Sequence, residues 1–106
     1  MEIRHKIENK RGSFFIELEG CKVAELDYEI KANVLCAYHT GVRPKLEGQG
    51  IANKLFNELI NYARANNYMI NPSCPYILAK LKHNSDKFAD IWCRSNDDPT
   101  GDASKI

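Results

Sequence analysis

The sequence predicts an α/β (α+β) fold: an antiparallel meander of strands, then a long helix, a parallel strand and short C-terminal helices. Two periodicities support this prediction. Apolar residues alternate with polar ones over most of residues 3–42, as in half-buried strands. From Gly50 onward they recur every three to four residues, as on one face of a helix. The change of period near residue 50 therefore divides the chain into a strand-rich half and a helix-rich half.

Four strands are predicted in the first half, and short polar turns separate them. The alternating apolar residues place them within residues 3–7, 14–18, 24–30 and 34–42. The fourth segment is apolar on both faces, which is typical of an interior strand. Because the connections are short, consecutive strands are expected to pair antiparallel.

The second half begins with the longest predicted helix. Ile51, Leu55, Leu59 and Ala63 lie four residues apart on one apolar stripe, and Asn66 and the residue after it end the helix. Residues 68–70 then predict a short strand, which a helical crossover places parallel to the fourth strand. A further helix is expected from Pro75 to Leu81. Residues 88–92 are predicted to form a last helical turn, and residues 95–106 a disordered tail.

Length and charge limit the function classes. A chain of 106 residues fits one domain, expected at residues 1–94. Fifteen basic and fourteen acidic residues give a formal net charge of +1, which argues against nucleic acid or a charged membrane surface as partner. No apolar run is long enough to span a bilayer. The four cysteines are widely spaced, which argues against a zinc knuckle, and their even number permits two disulfides. The first residues are too polar to resemble a secretion signal, so reduced thiols and a cytoplasmic protein are expected.

Residues 42–52 are the segment most suited to ligand binding, because a glycine-bearing loop leaves one strand and enters the long helix there. Glycines allow backbone N–H groups to approach an anion, and a helix N-terminus adds partial positive charge. The loop can hold a pyrophosphate in this way, although its spacing matches neither the dinucleotide fingerprint nor a P-loop. An ordinary strand-to-helix turn would have the same glycines.

The order of elements and the loop sequence resemble the GNAT superfamily of acyl-CoA-dependent N-acetyltransferases. The family pattern Arg/Gln-x-x-Gly-x-Gly/Ala is similar to Glu47-x-x-Gly50-x-Ala52. A narrower resemblance, to a small single-domain GNAT-like subfamily, rests on a His-Thr pair at residue 39, a Pro-x-Cys-Pro turn ending at Pro75, and a downstream His83. The resemblance covers residues 5–92.

This resemblance implies acetyl-CoA (or coenzyme A) as co-substrate and acetyl transfer to a primary amine of a small molecule or protein. It also implies which residues lie along the coenzyme. They are Thr40, Val42, Gly48, Gln49, Gly50, Ile51 and Ala52. Two alternatives stay open: an acyl-CoA-binding sensor or slow thioesterase without efficient transfer, and an interaction domain that binds no coenzyme.

Cys74 and His39 are the candidate catalytic residues. Cys74 lies at the start of a predicted helix, where a thiol becomes a better nucleophile, so an acyl-cysteine intermediate is conceivable. His39 could accept a proton from the acceptor amine or the thiol, or it could be a buried core histidine. Tyr76 resembles the tyrosine that protonates the departing thiolate in many GNAT enzymes, but packing is the simpler interpretation. His83 is expected at the surface.

Two departures from the family pattern affect the expected site. Glu47 stands where Arg or Gln is usual and puts a carboxylate near the expected pyrophosphate, while Arg43 and Lys45 can offset its charge. The acceptor side is expected to be open, because the chain enters its first strand almost at once and no strand is predicted after residue 92. The oligomeric state is expected to be a monomer or a weak dimer.

Overall fold

The computed structural model describes residues 2–93, and the predicted tail at residues 95–106 lies outside them. These residues form a five-stranded sheet with the strand order β1-β2-β3-β4-β5. The strands are β1 (Arg4–Glu8), β2 (Arg11–Leu18), β3 (Cys21–Lys31), β4 (Val34–Val42) and β5 (Met69–Pro72). The helices are α1 (Ile51–Ala65) and α2 (Pro75–His83), with a short 3-10 helix at Pro44–Leu46.

The sheet topology confirms the predicted fold class. Strands β1 to β4 pair antiparallel in sequence order, and β5 pairs parallel to β4 after the crossover through α1. The parallel pairing is short, running from Val34 opposite Met69 to Ala37 opposite Pro72. Strand β4 therefore continues beyond Ala37 without β5 beside it.

One face of the sheet carries the hydrophobic core. Alternate residues of the strands, such as Phe14, Leu26 and Leu35, are buried and join the apolar stripe of α1 and the inner side of α2 in one cluster. Removing this apolar surface from water is the main favourable contribution to folding. Because the helices lie on this side, we call it the helix face.

The opposite side of the sheet is called the open face here, because neither α1 nor α2 covers it. Glu25, Asp27 and Glu29 alternate with the buried residues of β3 and lie on the open face. Tyr38 of β4 has 45% of its surface exposed there. The apolar character of β4 on both sides thus correctly predicted an interior strand, although the open face of that strand is not buried.

A β-bulge in β4 decides which side chains reach which face. Tyr28 pairs with Ala37 and Asp27 pairs with His39, so Tyr38 is the extra residue. Directly paired residues point to the same side of a sheet. His39 therefore shares the open face with Asp27, and Thr40, which pairs with Leu26, lies on the helix face.

The segment after α2 packs back on the body through hydrogen-bonded turns. The backbone N–H of Trp92 donates to the carbonyl of Phe88, which is the spacing of a helical turn. Trp92 then forms a parallel bridge with Ile70 of β5. The guanidinium of Arg64 on α1 donates to the Asp90 carboxylate at 3.1 Å. Within residues 2–93 neither helix is long and apolar enough to cross a membrane.

Candidate functional site: a groove where β4 and β5 separate

The candidate site begins where the two parallel strands part. The backbone N–H of Cys74 donates to the carbonyl of Ala37 at 2.9 Å, and α2 starts at the next residue. Pro75 favours this start, since a residue at the first helical position needs no N–H and φ is already helical. The chain thus turns away from β4 and leaves the far half of β4 beside an opening.

The loop from β4 to α1 forms one wall of this opening. Gly48 and Gly50 have φ angles of 84° and 75°, in the left-handed region that glycine adopts most easily. A Cβ at either position would have no heavy atom within 4 Å. Both glycines therefore leave the loop backbone open to an approaching ligand.

The N-terminus of α1 adds electrostatic character to the wall. Gly50 is the N-cap and supplies no side-chain cap, and no acidic residue lies in the first turn. The first N–H groups of a helix have no acceptor within the helix, and the helix dipole makes this end partly positive. The loop and helix start are therefore suited to an anion.

The groove has a volume of about 280 Å³ and combines β4, the loop, the start of α1 and Tyr76 of α2. Six of the seven predicted coenzyme-binding residues line it: Thr40, Val42, Gly48, Gly50, Ile51 and Ala52. Gln49, the seventh, is exposed and does not line the groove. Glu47 does line it, so the carboxylate that departs from the expected pattern faces the expected ligand.

Cys74 adjoins this groove through Thr40. Its Sγ donates a hydrogen bond to Thr40 Oγ1 at 3.5 Å, and the residue is only 6% exposed. The contact joins the N-cap of α2 to the far half of β4 on the helix face. The predicted position of Cys74 at a helix start is confirmed.

Tyr76, for which the sequence favours a packing role, also lines the groove. It is half-buried, and burial raises the pKa of its hydroxyl, with a smaller contribution from Cys74 nearby. Its position two residues after Cys74 could have indicated that it lies at the groove, because both residues are at the start of α2.

His39 lies on the other side of the sheet. Its Nε2 is 2.9 Å from Glu25 Oε2, and its side chain is 46% exposed, so it is not a core histidine. Because His39 is on the open face and Cys74 on the helix face, the imidazole does not contact the thiol. The two candidate catalytic residues are therefore separated by β4.

The remaining candidates lie away from the groove. His83 is exposed at the end of α2, as expected. Cys21 is exposed on β3, Cys36 is half-buried on β4 and Cys93 is buried, and none of the three lines the groove.

A comparison with protein-family models matches residues 13–91 to the GCN5-related N-acetyltransferases. The chain belongs to this family. The match spans the sheet from β2 to β5, the glycine loop and both helices, so it includes every residue of the groove. A search of curated proteins found no match.

Solved structures of GNAT proteins share the fold. A GCN5-like protein of Staphylococcus aureus, solved by NMR, is 29% identical with a TM-score of 0.62, and the match covers 84% of this chain and 86% of that one. The ribosomal-protein-S18-alanine N-acetyltransferase of Escherichia coli is 15% identical with a TM-score of 0.59, and the match covers 73% of this chain and 53% of that one. The aminoglycoside N-acetyltransferase AAC(6')-Iy, solved with CoA, is 14% identical with a TM-score of 0.53, and the match covers 74% of this chain and 67% of that one.

The GNAT chains in this comparison differ in how much of their length is shared. Another GNAT-family protein of Staphylococcus aureus is 21% identical to this chain with a TM-score of 0.54. That match covers 59% of this chain and only 55% of the other protein's length.

Proposed function

We propose that this chain transfers the acetyl group of acetyl-CoA to a primary amine. The observation that carries the proposal is the groove itself, in which a glycine loop and the uncapped start of α1 adjoin the half of β4 that β5 leaves free. Family membership supports acetyl transfer as the reaction class. The solved complex of a GNAT aminoglycoside N-acetyltransferase with CoA supports the co-substrate.

The pyrophosphate of the coenzyme would lie against the loop. N–H groups near Gly48, Gly50 and the first turn of α1 can donate to its oxygens without a large basic excess. Arg43 and Lys45 add positive charge beside the loop, while Glu47 subtracts from it. The pantetheine arm would then follow the edge of β4 that β5 leaves free.

Cys74 is proposed to carry the acetyl group between coenzyme and amine. Its sulfur attacks the thioester carbonyl, a bond from Cys74 sulfur to the acetyl carbon forms, and the bond to the coenzyme sulfur breaks. The thiol proton of Cys74 passes to the coenzyme, which leaves as free CoA. The 3.5 Å contact with Thr40 supports this role, because Thr40 itself lines the groove.

His39 is proposed to deprotonate the amine from the open face. A primary ammonium must lose a proton before its nitrogen can attack an acyl carbon, and a neutral imidazole can accept it. The nitrogen then bonds to the acetyl carbon, the bond from that carbon to the Cys74 sulfur breaks, and a second amine proton passes to the sulfur and restores the thiol. Glu25 then orients the ring through the 2.9 Å contact. The amine would approach β4 from the open face and the coenzyme from the helix face. Direct attack on acetyl-CoA would use the same base and bypass the thiol.

Titration calorimetry with acetyl-CoA and free CoA, followed by mass spectrometry of an amine panel, tests this function. We expect submillimolar binding of both coenzymes and acetylation of at least one amine. Gly50→Glu should abolish binding, because its side chain would enter the groove and add negative charge. Gly20→Glu is a control with the same left-handed φ in the β2–β3 hairpin, at a residue that does not line the groove. Absence of coenzyme binding would refute the proposal.

A second function, an acyl-CoA sensor or slow thioesterase, has one observation in its favour. Glu47 lines the groove and is expected to weaken coenzyme binding. Under this alternative the protein would bind acetyl-CoA and hydrolyse it slowly, and no amine in the panel would become acetylated.

A further inference from the structure

Three side chains that can bind metal converge on the open face, on the far side of the sheet from the groove. We propose that Glu25, Asp27 and His39 form a binding site for Zn²⁺. Their ligand atoms all lie within 4.8 Å of one another. Glu25 and Asp27 are half-buried and His39 is exposed, so a cation can enter from solvent.

The strand geometry explains the convergence. Glu25 and Asp27 are two residues apart on β3, so both point to the same face. Asp27 pairs directly with His39 on β4, because the bulge at Tyr38 turns His39 to this side. The Nε2 of His39 already lies 2.9 Å from Glu25 Oε2. The three ligands therefore occupy neighbouring positions on two paired strands, which hold them more rigidly than a loop would.

The donor set favours zinc over calcium or magnesium. Zinc accepts imidazole nitrogen and carboxylate oxygen at about 2.0–2.2 Å, so tetrahedral ligand atoms lie about 3.4 Å apart. The separations here need only small side-chain movements to reach that value. Calcium and magnesium prefer oxygen ligands alone. Three protein ligands leave one position for water.

The residues around the cluster support the same geometry. A Cβ at Gly41 would lie 3.2 Å from His39 Nε2, so glycine there gives the imidazole room to reach Glu25. The ammonium of Lys22 lies 3.3 Å from Glu25 Oε1 and holds that oxygen, which leaves Oε2 for a metal. Hydrogen-bond partners behind a metal ligand fix its orientation.

Ser13 is placed to orient a second ligand of the proposed site, Asp27. It pairs with Asp27 across β2 and β3, and its buried Oγ has no hydrogen-bond partner among the described residues. A buried hydroxyl without a partner costs free energy. Donation to the Asp27 carboxylate, with that carboxylate turned toward a metal, would remove the cost.

Zinc binding would also control the proposed reaction. In the ring that Glu25 orients, Nε2–H donates to the carboxylate, so Nδ1 is the nitrogen that would accept a proton from the amine. Zinc at Nε2 would replace that proton and make Nδ1 a weaker base, so bound zinc should inhibit transfer. This consequence rests on the proposed function, whereas metal binding does not. A chain that binds zinc but acetylates nothing would refute the function alone, and a chain that acetylates amines but binds no zinc would refute the site alone.

Calorimetric titration of ZnCl₂ into the full chain, freed of metal beforehand with a chelator, tests the site. We expect saturable binding of one Zn²⁺ per chain. His39→Ala and Asp27→Asn should each weaken it by at least about tenfold. Glu29→Gln is the matched control, since Glu29 lies on the same face of β3 outside the cluster, and it should bind as wild type. Circular dichroism checks that each variant is folded. No saturable binding, or equal binding by His39→Ala, would overturn the proposal.

Cobalt(II) separates this site from binding by cysteine. A Co²⁺ complex with imidazole and carboxylate shows only weak visible bands, whereas a thiolate ligand adds an intense ultraviolet charge-transfer band. We expect the weak bands alone, and we expect His39→Ala to lose them. A thiolate band that persists in His39→Ala would assign the metal to a cysteine and overturn the proposal.

Discussion

The thiol of Cys74 and the hydroxyl of Thr40 meet at 3.5 Å although the residues lie 34 positions apart in sequence. The contact exists because β5 ends at Pro72 and α2 begins at Pro75, so the connection crosses in front of β4. It places a nucleophile beside a groove-lining residue of the strand that the coenzyme is proposed to follow. The adjacent His39 is on the opposite face, so one strand separates the proposed acyl carrier from the proposed base.

Acetylation of Cys74 is the first prediction. Incubation with acetyl-CoA and no amine should add the mass of one acetyl group to the wild-type chain, because the thiol can attack the thioester and no acceptor removes the acetyl group. Intact-mass spectrometry measures the adduct. Cys74→Ala should lose it, and Cys21→Ala, which changes an exposed thiol outside the groove, should keep it. A Cys74→Ser variant with full turnover would establish direct transfer instead.

Gly50→Ala should weaken coenzyme binding more than it weakens the fold. The left-handed backbone at this N-cap costs a residue with a Cβ about 1–2 kcal/mol. The added methyl group would also occupy open space in the groove, so we expect at least a tenfold loss of CoA affinity. Gly20→Ala has the same backbone strain at a hairpin, and it should lose similar stability while binding CoA normally. Chemical denaturation and calorimetry measure the two quantities. Equal affinities of the two variants would contradict the proposed position of the coenzyme.

Glu47→Gln should strengthen CoA binding. Glu47 lines the groove and is exposed, so its charge repels the pyrophosphate through a solvent-screened interaction. Removing the charge should raise affinity about two- to fivefold at low salt, and the gain should shrink as salt is added. Glu8→Gln, at the end of β1, changes the same charge at an exposed position outside the groove. Calorimetric titrations at two salt concentrations measure the difference, and an affinity independent of residue 47 would show that the pyrophosphate lies elsewhere.

The sequence predicted the main strands and the long helix well, because apolar residues recur in each with the spacing of a strand or of a helix. The expected fourth strand, residues 34–42, has the bounds of β4, and the expected helix begins one residue after Gly50. The glycine loop could also be recognised, since its residues are consecutive. Six of the seven residues predicted to lie along the coenzyme line the groove, two of them on β4 and four in the loop and the first turn of α1.

The spacing of apolar residues alone does not determine on which face of the sheet each catalytic candidate lies. Alternation predicts that His39 and Thr40 face opposite sides, but the bulge at Tyr38 decides which side each one takes. A bulge depends on how β4 pairs with β3, which is a property of two strands together. The sequence alone therefore does not identify Glu25, which precedes His39 by 14 residues, as the hydrogen-bond partner of that histidine.

Gly12→Ala should destabilise the fold strongly. Gly12 lies on β2 directly opposite Tyr28, and a Cβ there would overlap the buried tyrosine ring at Cζ and Oη. Tyr28 cannot move away, since it is fully buried and its hydroxyl is held by His5 Nε2 at 2.6 Å. Overpacking of this kind costs about 1–3 kcal/mol or more. Gly41→Ala is the control, because its Cβ would meet only the ends of the flexible side chains of His39 and Glu25.

A double variant gives the Gly12 prediction its sharpest form. Tyr28→Leu alone should be destabilising, but combined with Gly12→Ala it should cost less than the sum of the two single changes, because the shorter side chain removes the overlap. Urea denaturation of the four proteins measures the interaction. Additive costs would mean that the ring does not determine the need for glycine.

Stability should fall as the pH decreases through the titration of His5. The imidazole stacks on Phe14 with ring centres 4.0 Å apart, and burial lowers its pKa from 6.5, an effect that the nearby Glu58 carboxylate partly opposes. The unfolded chain therefore binds a proton more readily than the folded chain does. The contribution to stability is complete above pH 6.5 and is lost as pH falls from 6.5 to the lowered pKa of the folded state.

Replacing His5 tests this assignment. His5→Gln removes the titrating group, so the unfolding free energy should depend less on pH between about pH 7 and pH 5, although its value at neutral pH will also change because the Tyr28 hydrogen bond is altered. His83→Gln is the matched control, since His83 is exposed at the end of α2, and it should keep the wild-type profile. Urea denaturation at a series of pH values gives both slopes. If His5→Gln and wild type had the same slope, the acid sensitivity would have to come from a group outside the His5–Phe14–Tyr28 contacts.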